Sequence, residues 1–354
     1  MKKSFLLAAF AGILLAGCTS DEQTEVATSR TDNPIVFNLP IVNAQTRAVA
    51  GEQPVNGKYS TSESFHVYGV WSESNLASWG TATPYMNTDV TYKENSTTDI
   101  TQNYWASDVT YYWPKVGKLS FAAYSPADCS GTKSYEATGL TIANFEIEET
   151  TDKQYDLMYS ERSLNRTNSL QLGSGITATY KSGVDIQFKH ALSSIKFQAK
   201  TSENYSNTTI RIKKIEIGGT YYKGTFNETV TDGASYTSSP SWNVDNDIIT
   251  TNYVAYEDET GKEITNSNQP VRSNDVILLP QTLPDGAMFT IKYTIQSHGS
   301  SEIPQIATQK IKDLTATWEM GKRYTYTIVF TLNQIFFTPE VCAWEDETGG
   351  DITI

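Results

Sequence analysis

Apolar and polar residues alternate with a period of two along most of the chain. The clearest stretch places five apolar residues on one face: Tyr324, Tyr326, Ile328, Phe330 and Leu332. Similar alternation covers residues 184–189, 195–200 and 291–296. This period is typical of half-buried antiparallel strands, and no long window shows the period of 3.6 that marks a helix. Around residues 210–217 the apolar phase slips, which predicts a β-bulge. The pattern therefore predicts an all-β protein.

The first 33 residues consist of a largely apolar stretch followed by a polar one. Lys2 and Lys3 precede an uncharged apolar run over residues 5–15, which is shorter than the roughly 20 residues that cross a bilayer. Residues 1–17 are therefore predicted to be a secretory signal. The sequence Leu-Ala-Gly-Cys ending at Cys18 resembles the lipobox of bacterial lipoproteins, in which this cysteine becomes the acylated first residue. Residues 18–33 are polar and aperiodic, as in a flexible tether.

The length of the remaining chain bears on its domain organisation. Without the signal it has 337 residues (354 minus 17), and domains of roughly 100–200 residues predict two units. The weakly periodic stretch at 163–182, which contains Gly and Ser, is the best boundary. We therefore expect an N-terminal β-sandwich over residues 34–172 and a C-terminal β-sandwich over residues 173–354.

The net charge indicates which partners the chain can bind, and the cysteines bear on whether it contains a disulfide. The chain has 27 Lys and Arg against 40 Asp and Glu, a net charge of −13, and no basic run follows the signal. Nucleic acid is therefore excluded as a partner. Cys129 and Cys342 could form a disulfide in an oxidising compartment, but two isolated cysteines are more often small buried groups. The sequence leaves their pairing open.

Motifs for catalysis or metal binding are missing from the sequence. His66, His190 and His298 have none of the spacings that suit zinc, and His190 is best interpreted as a core or capping residue. No GxSxG, GxGxxG or P-loop motif occurs, and nothing singles out a carboxylate pair for glycoside hydrolysis. The acidic residues 345–351 lack EF-hand spacing, so a solvated turn is preferred over a calcium loop. We therefore predict that the protein is not an enzyme and that it binds neither a cofactor nor a metal.

Several short segments, in order, resemble those of the fimbrillin superfamily, the type V pilins, and in particular its Mfa-like branch. They are YWP at 112–114, LSFAAYSP at 119–126, YDLM at 155–158, VDIQFKHALSSIKF at 184–197, LLPQ at 278–281, and Trp318 with GKRYTYT at 321–327. The resemblance implies two β-sandwiches of transthyretin-like topology that assemble into adhesive pili. Within it, residues 190–192 are interpreted as a tight turn, and Trp318 and Tyr324 as core aromatics.

The resemblance also implies maturation by an arginine-specific surface protease. Thr46-Arg47-Ala48 stands in the expected place, with Arg47 lying 29 residues after Cys18 (47 minus 18). Cleavage would make Ala48 the new N-terminus. Arg30 is the other candidate, but cutting there would remove no strand.

The pattern of residues 35–42 indicates that such a cut would release a strand. Ile35, Phe37, Leu39 and Ile41 fall on one face of an extended segment. If this strand completes the first sandwich, its loss opens a groove that a neighbour's strand can fill. Four such side chains at about 1.5–3 kcal/mol each give roughly 6–12 kcal/mol before ordering costs.

The donor strand is predicted in the C-terminal region. One candidate carries Ile335, Phe337 and Val341, although Pro339 interrupts it. The other is the end of the chain, with Ile352 and Ile354.

The function predicted from the sequence is a stalk or tip subunit of a cell-surface adhesive fimbrium. The subunit is exported through the periplasm as a lipoprotein, held on the outer membrane by its lipid, and joined to other fimbrillin subunits and to a host or bacterial adhesion ligand. The alternative is a non-polymerising outer-membrane lipoprotein or pilus anchor that binds glycan or another ligand through Trp71, Trp79, Trp105 and Trp113. Aromatic residues in a sandwich are more often core than binding platform. Stalk, tip and anchor, and the adhesion ligand, are not distinguished by the sequence.

Overall fold

A computed structural model describes residues 34–38, 40–42, 59–60, 62–94, 104–167, 183–232, 236–331 and 334–344. Strands dominate these ranges, and the helical elements are three-residue 3-10 turns at Trp79–Thr81, Thr151–Lys153 and Ile311–Asp313. The prediction of an all-β fold is confirmed. None of the helices in the described ranges has the length and apolar character needed to cross a membrane.

The described residues form 23 strands. In chain order they are β1 (Ile41–Val42), β2 (Ser64–Ser72), β3 (Thr83–Lys93), β4 (Tyr104–Ala106), β5 (Lys118–Ser125), β6 (Thr132–Glu136), β7 (Gly139–Glu146), β8 (Met158–Ser160), β9 (Ser163–Arg166), β10 (Gln187–His190), β11 (Ser193–Thr201), β12 (Thr208–Gly218), β13 (Lys223–Thr231), β14 (Thr237–Val244), β15 (Tyr253–Ile264), β16 (Gln269–Pro270), β17 (Val276–Leu278), β18 (Gln281–Thr282), β19 (Met288–Ser297), β20 (Ile303–Lys310), β21 (Thr317–Trp318), β22 (Lys322–Phe330) and β23 (Ile335–Ala343).

The first sheet has eight strands and holds most of the N-terminal half. Its order is β1-β10-β8-β5-β2-β3-β4, with β9 paired to β5. Phe65 and Val67 alternate with half-buried His66 and Tyr68 along β2, as the period-two pattern requires. Their inward side chains form a core with Leu119, Phe121 and other residues of the same sheet.

The C-terminal half packs one sheet against another. The sheet β16-β11-β22-β23, with β17 also on β11, faces the sheet β15-β12-β19-β20. Phe289 on β19 contacts Phe197 on β11 and Tyr326 on β22, with ring centroids 5.1 and 4.8 Å apart. Interdigitated side chains between two sheets are the mark of a β-sandwich, so this part of the fold prediction is confirmed.

Local features predicted from the sequence are present in this half. The register of β12 shifts between Ile212 and Lys214, which is the predicted bulge, and it keeps Ile210, Ile212, Ile215 and Ile217 buried. The predicted turn at residues 190–192 joins β10 to β11. Trp318 and Tyr324 are core residues.

The two halves of the chain share a sheet. In the order β14-β13-β7-β6, β7 comes from the first half and pairs antiparallel with β13 from the second. In addition, β10 follows the stretch 163–182 in sequence yet pairs with β8 in the first sheet. The proposed boundary between residues 172 and 173 lies outside the described residues, and the two-domain division stays a prediction.

Candidate functional site

Residues 34–38 and 40–42 form an inserted segment, called the inserted segment 34–42, between two parts of the first sheet that are distant in sequence. On one side the segment runs antiparallel to residues 105–112, and on the other it runs parallel to residues 184–188. The Phe37 amide donates to the Trp105 carbonyl (2.8 Å), and the Val184 amide donates to the Val36 carbonyl (2.8 Å). The inserted segment therefore satisfies backbone groups on both walls of a slot.

The side chains of the inserted segment enter the first core. Phe37 is 1% exposed and contacts Phe65 and Phe121 edge-on at 5.6 and 5.8 Å. Ile35 and Val36 are buried as well.

The alternation predicted for this segment is only partly present, because Val36 is buried between Ile35 and Phe37 and the phase changes after Pro40. Ile41 is half-buried, and Val42 takes the buried position instead. Proline fixes its own φ angle and restricts the residue before it, so the chain re-enters the sheet one residue out of phase. Leu39, the fourth predicted side chain, lies outside the described residues.

A polar contact that the sequence analysis missed holds the inserted segment to one wall. The Asn38 side-chain Nδ2 donates to the Gly183 carbonyl (3.0 Å) and to Asp185 Oδ1 (2.6 Å), and the Gly183 backbone amide donates to Asn38 Oδ1 (2.9 Å). A Cβ atom at Gly183 would lie 2.6 Å from the backbone nitrogen of Asn38, so only glycine permits this approach. The two residues are 145 positions apart, and no local pattern links them.

The predicted maturation site lies between two anchored positions. Arg47 and Ala48 fall in 43–58, and Cys18 and Arg30 precede residue 34, so all four are outside the described residues. Val42 is buried before this stretch, and Tyr59 is buried after it. The Tyr59 ring stacks on Phe188 (5.6 Å between centroids), and its hydroxyl lies 2.7 Å from Ser125 Oγ. Burial raises the pKa of Tyr59, which keeps the phenol protonated.

The first predicted donor strand, β23, lies at an edge of the C-terminal sandwich. It pairs antiparallel with β22 along its whole length. Ile335 and Phe337 are half-buried, whereas Val341 is 49% exposed. Pro339 lies within the strand, and an edge is where a sheet tolerates proline. β23 and the inserted segment belong to different sheets, and Ile352 and Ile354 lie outside the described residues.

An aromatic contact that was not predicted fixes the end of β23. Trp344 is 5% exposed and stacks on His190, with ring centroids 3.9 Å apart and planes 7° apart. Asp156 forms a short hydrogen bond to His190 Nδ1. The Trp344 amide donates to the Gly321 carbonyl (2.9 Å). We call the contact between Trp344 and His190 the C-terminal clasp.

The other residues singled out in the sequence pack or form hydrogen bonds within the fold. Of the four tryptophans considered as a ligand platform, Trp79 and Trp105 are buried and Trp71 and Trp113 are half-buried, so they do not form an exposed platform. His66 lies within hydrogen-bonding distance of Asp89 and Asn87. Within the described ranges, no three His, Cys, Asp or Glu side chains are grouped to hold a metal ion.

The two cysteines of the folded part are not joined by a disulfide. Cys129 is buried and Cys342 is exposed on β23. Burial raises the pKa of the Cys129 thiol to about 12, so this side chain stays protonated and behaves as a small apolar group. The expectation of a buried cysteine therefore fits Cys129, but it was wrong for Cys342.

Comparisons with known proteins link this architecture to surface proteins. A sequence model described as fimbrillin-like matches residues 46–344. A fimbrial protein from Bacteroides vulgatus ATCC 8482 superposes with a TM-score of 0.54 at 17% identity, covering 89% of this chain and all (100%) of that one. A Bacteroides uniformis ATCC 8492 protein, named for a proposed role in cell adhesion, superposes with a TM-score of 0.50 at 15% identity, covering 88% of this chain and 99% of that one. At identities this low, the superpositions show a shared fold alone. No curated protein matches the chain.

Proposed function

This chain belongs to the fimbrillin-like family, and from this membership we propose that it is a polymerising subunit of a cell-surface adhesive fimbrium, joined to its neighbours by donor-strand exchange. The family comprises fimbrial structural and adhesion proteins, so the prediction that the chain is not an enzyme is confirmed. The observation that carries the proposal is the inserted segment 34–42, which lies between two walls and precedes Arg47 in sequence.

Removal of the inserted segment would leave a specific groove. One wall would expose the backbone groups of Trp105 and Tyr111, and the other those of Val184 and Ile186, all of which now bond to the segment. The floor is the apolar core around Phe65 and Phe121. Unpaired strand edges beside an apolar floor favour the addition of another extended chain.

The burial of the segment indicates how firmly a replacement strand could be held. Ile35, Val36, Phe37 and Val42 are all buried, and side chains of this kind contribute about 1.5–3 kcal/mol each. The sum is roughly 6–12 kcal/mol before the cost of ordering the incoming strand. This is enough for a durable joint between subunits.

In this proposal, export and maturation control when the groove opens. The precursor passes through the periplasm, is acylated on Cys18 and is held on the outer membrane by its lipid. An arginine-specific surface protease then cuts after Arg47 and makes Ala48 the N-terminus. Tyr59 holds the new N-terminal arm on the core by its contacts with Phe188 and Ser125.

The donor strand in this proposal comes from the C-terminal region of the next subunit. The exposed edge strand β23 carries Ile335, Phe337 and Val341, and the last residues carry Ile352 and Ile354. Donation of β23 requires it to leave β22, so the C-terminal clasp opposes it. Donation of the last residues leaves β23 in place.

The decisive experiment changes Arg47 to Ala in the full chain and follows polymer by the ladder of species that survives mild detergent. We expect a lipid-bound monomer, because the inserted segment stays in its slot. Arg30→Ala is the matched control, since this arginine precedes the segment, and its ladder should be normal. N-terminal sequencing of sheared wild-type protein should give Ala48.

A second variant tests the donor. Deletion of residues 336–354 should stop growth beyond this subunit if it is a stalk component. Deletion of residues 345–354 alone keeps β23 and removes the end of the chain, so it identifies which of the two candidates donates. Normal ladders from both Arg47→Ala and the longer deletion would refute strand exchange. A wild-type chain that stays monomeric with its lipid on Cys18 would instead support the resident lipoprotein or anchor.

A further inference from the structure

A cleft of about 780 Å³ opens on the C-terminal half, far in sequence from the inserted segment. One side is the end of β14, and the other is the two-stranded ribbon of β18 and β21 with the loops that adjoin it. This volume lies within the range of roughly 300–1,000 Å³ that small-ligand sites occupy. The proposed function makes no use of the cleft.

The apolar residues that line the cleft include Trp242, Tyr221 and Met320. Trp242 is half-buried and packs on Phe145 and Phe226, with ring centroids 5.5 Å apart in both cases. Its indole N–H donates to the Ala191 carbonyl (2.6 Å). Because the N–H is satisfied inside the protein, the ring offers the cleft only carbon surface.

Polar side chains also line the cleft. Lys312 Nζ lies 2.5 Å from Asp285 Oδ1, and both side chains are exposed. The bond to Lys312 lowers the pKa of Asp285, so the carboxylate is ionised at neutral pH. Asn246 and Ser241 line the cleft and are exposed. These side chains therefore offer hydrogen-bond donors and acceptors to the cleft, and the Asp285–Lys312 pair has no net charge.

We propose that this cleft binds a neutral oligosaccharide, with the Trp242 ring against the apolar face of a sugar and with Asp285, Lys312 and Asn246 hydrogen-bonded to its hydroxyl groups. A sugar ring has one face of C–H groups and a rim of hydroxyl groups, which matches an aromatic surface beside charged and amide side chains. The chain's net charge of −13 disfavours an anionic glycan.

An extended peptide fits the same cleft less well. The strand that borders it, β14, pairs with β13 on one side only and contains Pro240 opposite Glu228. Proline within a sheet turns its nitrogen away from the paired strand, so the outer edge of β14 lacks an amide donor at this point. This edge is therefore poorly suited to strand addition. The sugar proposal is independent of strand exchange and can be tested on a monomer.

The test titrates the full chain, purified in detergent, with maltohexaose, cellohexaose and mannohexaose, and with a sialylated hexasaccharide as the anionic probe. Binding is followed by tryptophan fluorescence and by saturation-transfer NMR. We expect at least one neutral hexasaccharide to bind and the sialylated one to bind at least about tenfold more weakly. The double variant Asp285→Ala, Asn246→Ala should lose at least about tenfold in affinity, since each removes a hydrogen bond to the ligand.

Two further variants separate binding from folding. Asp108→Ala is the matched control, because Asp108 pairs with Lys93 at 2.7 Å on the surface of the other half, and it should bind like wild type. Trp242→Phe keeps an aromatic ring in the core and should weaken binding while the thermal unfolding curve stays cooperative.

Four outcomes would overturn the proposal. Three of them are the absence of binding by every neutral probe, an affinity unchanged in the double variant, and tighter binding of the sialylated probe. A fourth is saturable binding in this cleft of a peptide with the sequence of residues 345–354 when no sugar binds, which would assign the cleft to a peptide.

Discussion

At the scale of single residues, Phe37 is the side chain whose importance should change with maturation. It is almost fully buried against Phe65 and Phe121, and truncation of a buried phenylalanine to alanine costs about 3–5 kcal/mol. Phe37→Ala should therefore lower the free energy of unfolding of the uncut precursor by that amount. Urea unfolding followed by tryptophan fluorescence measures it.

The same substitution should have no effect on the cut form, because residue 37 is then absent from it. Phe336→Ala serves as the control, since Phe336 is 48% exposed and surface substitutions change stability by about 0.5 kcal/mol or less. Equal stability of the Phe37→Ala and wild-type precursors would mean that the inserted segment does not support the core.

Glu228 is a buried carboxyl at the place where the two halves of the chain meet. It lies on β13 and is 1% exposed, and Ser238 Oγ donates to its Oε1 (2.7 Å) while Oε2 is without a hydrogen bond. Burial raises the pKa of Glu228 from 4.5 to about 7, an effect that the nearby Arg162 reduces and Glu161 increases. The carboxyl is therefore largely protonated in the folded protein at mildly acidic pH.

The sign of the pH dependence follows from this shift. The folded state binds this proton more tightly than the unfolded state does, so the free energy of unfolding should fall as the pH rises from 4.5 to about 7. The change is of the order of 3 kcal/mol. Glu228→Gln keeps a neutral side chain and should remove this component, so its stability relative to wild type should increase between pH 4.5 and pH 8. A pH-independent difference between the two proteins would contradict the assignment.

At the scale of elements, β23 pairs with β22 along its whole length, but its side chains pack mainly at its two ends. Phe337 stacks on Phe289 near the start (6.0 Å between centroids), and the C-terminal clasp holds the end. The residues between are exposed. Trp344→Ala should therefore loosen β23 while leaving the sheets beneath it intact.

Hydrogen exchange measures this prediction directly. Amides of residues 335–343 should exchange at least about tenfold faster in Trp344→Ala, equivalent to roughly 1.4 kcal/mol of local stability. Amides of β12 should be unaffected, and Phe336→Ala should leave the exchange of the strand end unchanged. Unaltered exchange of β23 in Trp344→Ala would show that pairing with β22 alone retains the strand.

At the scale of the whole molecule, a buried ion pair links the two halves in addition to the shared sheet. The buried guanidinium of Arg162 forms a short ion pair with Asp232 and lies over the Trp79 ring, 4.6 Å from its centroid. The Trp79 amide also donates to Asp232 (2.9 Å). Arg162 and Trp79 come from the first half and Asp232 from the second, so this ion pair adds to the pairing of β7 with β13.

We therefore expect one cooperative transition in calorimetry rather than two. Asp232→Ala should lower the stability of the whole chain by about 3–5 kcal/mol, because it leaves a buried charge without its partner. Asp285→Ala removes an exposed partner of a lysine and should cost about 1 kcal/mol or less. Two separate transitions, only one of them sensitive to Asp232→Ala, would instead favour independently folding domains.

Period-two patterning in the amino-acid sequence was sufficient to predict the elements and much of their inward faces. Period-two alternation identifies strands because side chains of a strand point alternately to its two sides, whatever the strand pairs with. For the same reason the slip near Ile212 identified a bulge. The alternation over residues 35–42 predicts one strand with an apolar face, whereas the structure has isolated bridges at Pro34 and Phe37 and a two-residue strand at Ile41–Val42. The resemblance to fimbrillins drew attention to the position of this segment before Arg47.

Which strands pair with one another could be read from the folded chain but not from the sequence. The insertion of residues 34–42 between walls near residues 105 and 184, the fit of Asn38 against Gly183, and the pairing of β7 with β13 all join residues distant in sequence. The clasp of Trp344 on His190 and the cleft beside Trp242 likewise arise from elements that no local pattern relates. Periodicity records how each strand faces a core, whereas pairing depends on packing and backbone hydrogen bonds that form only when the whole chain is folded.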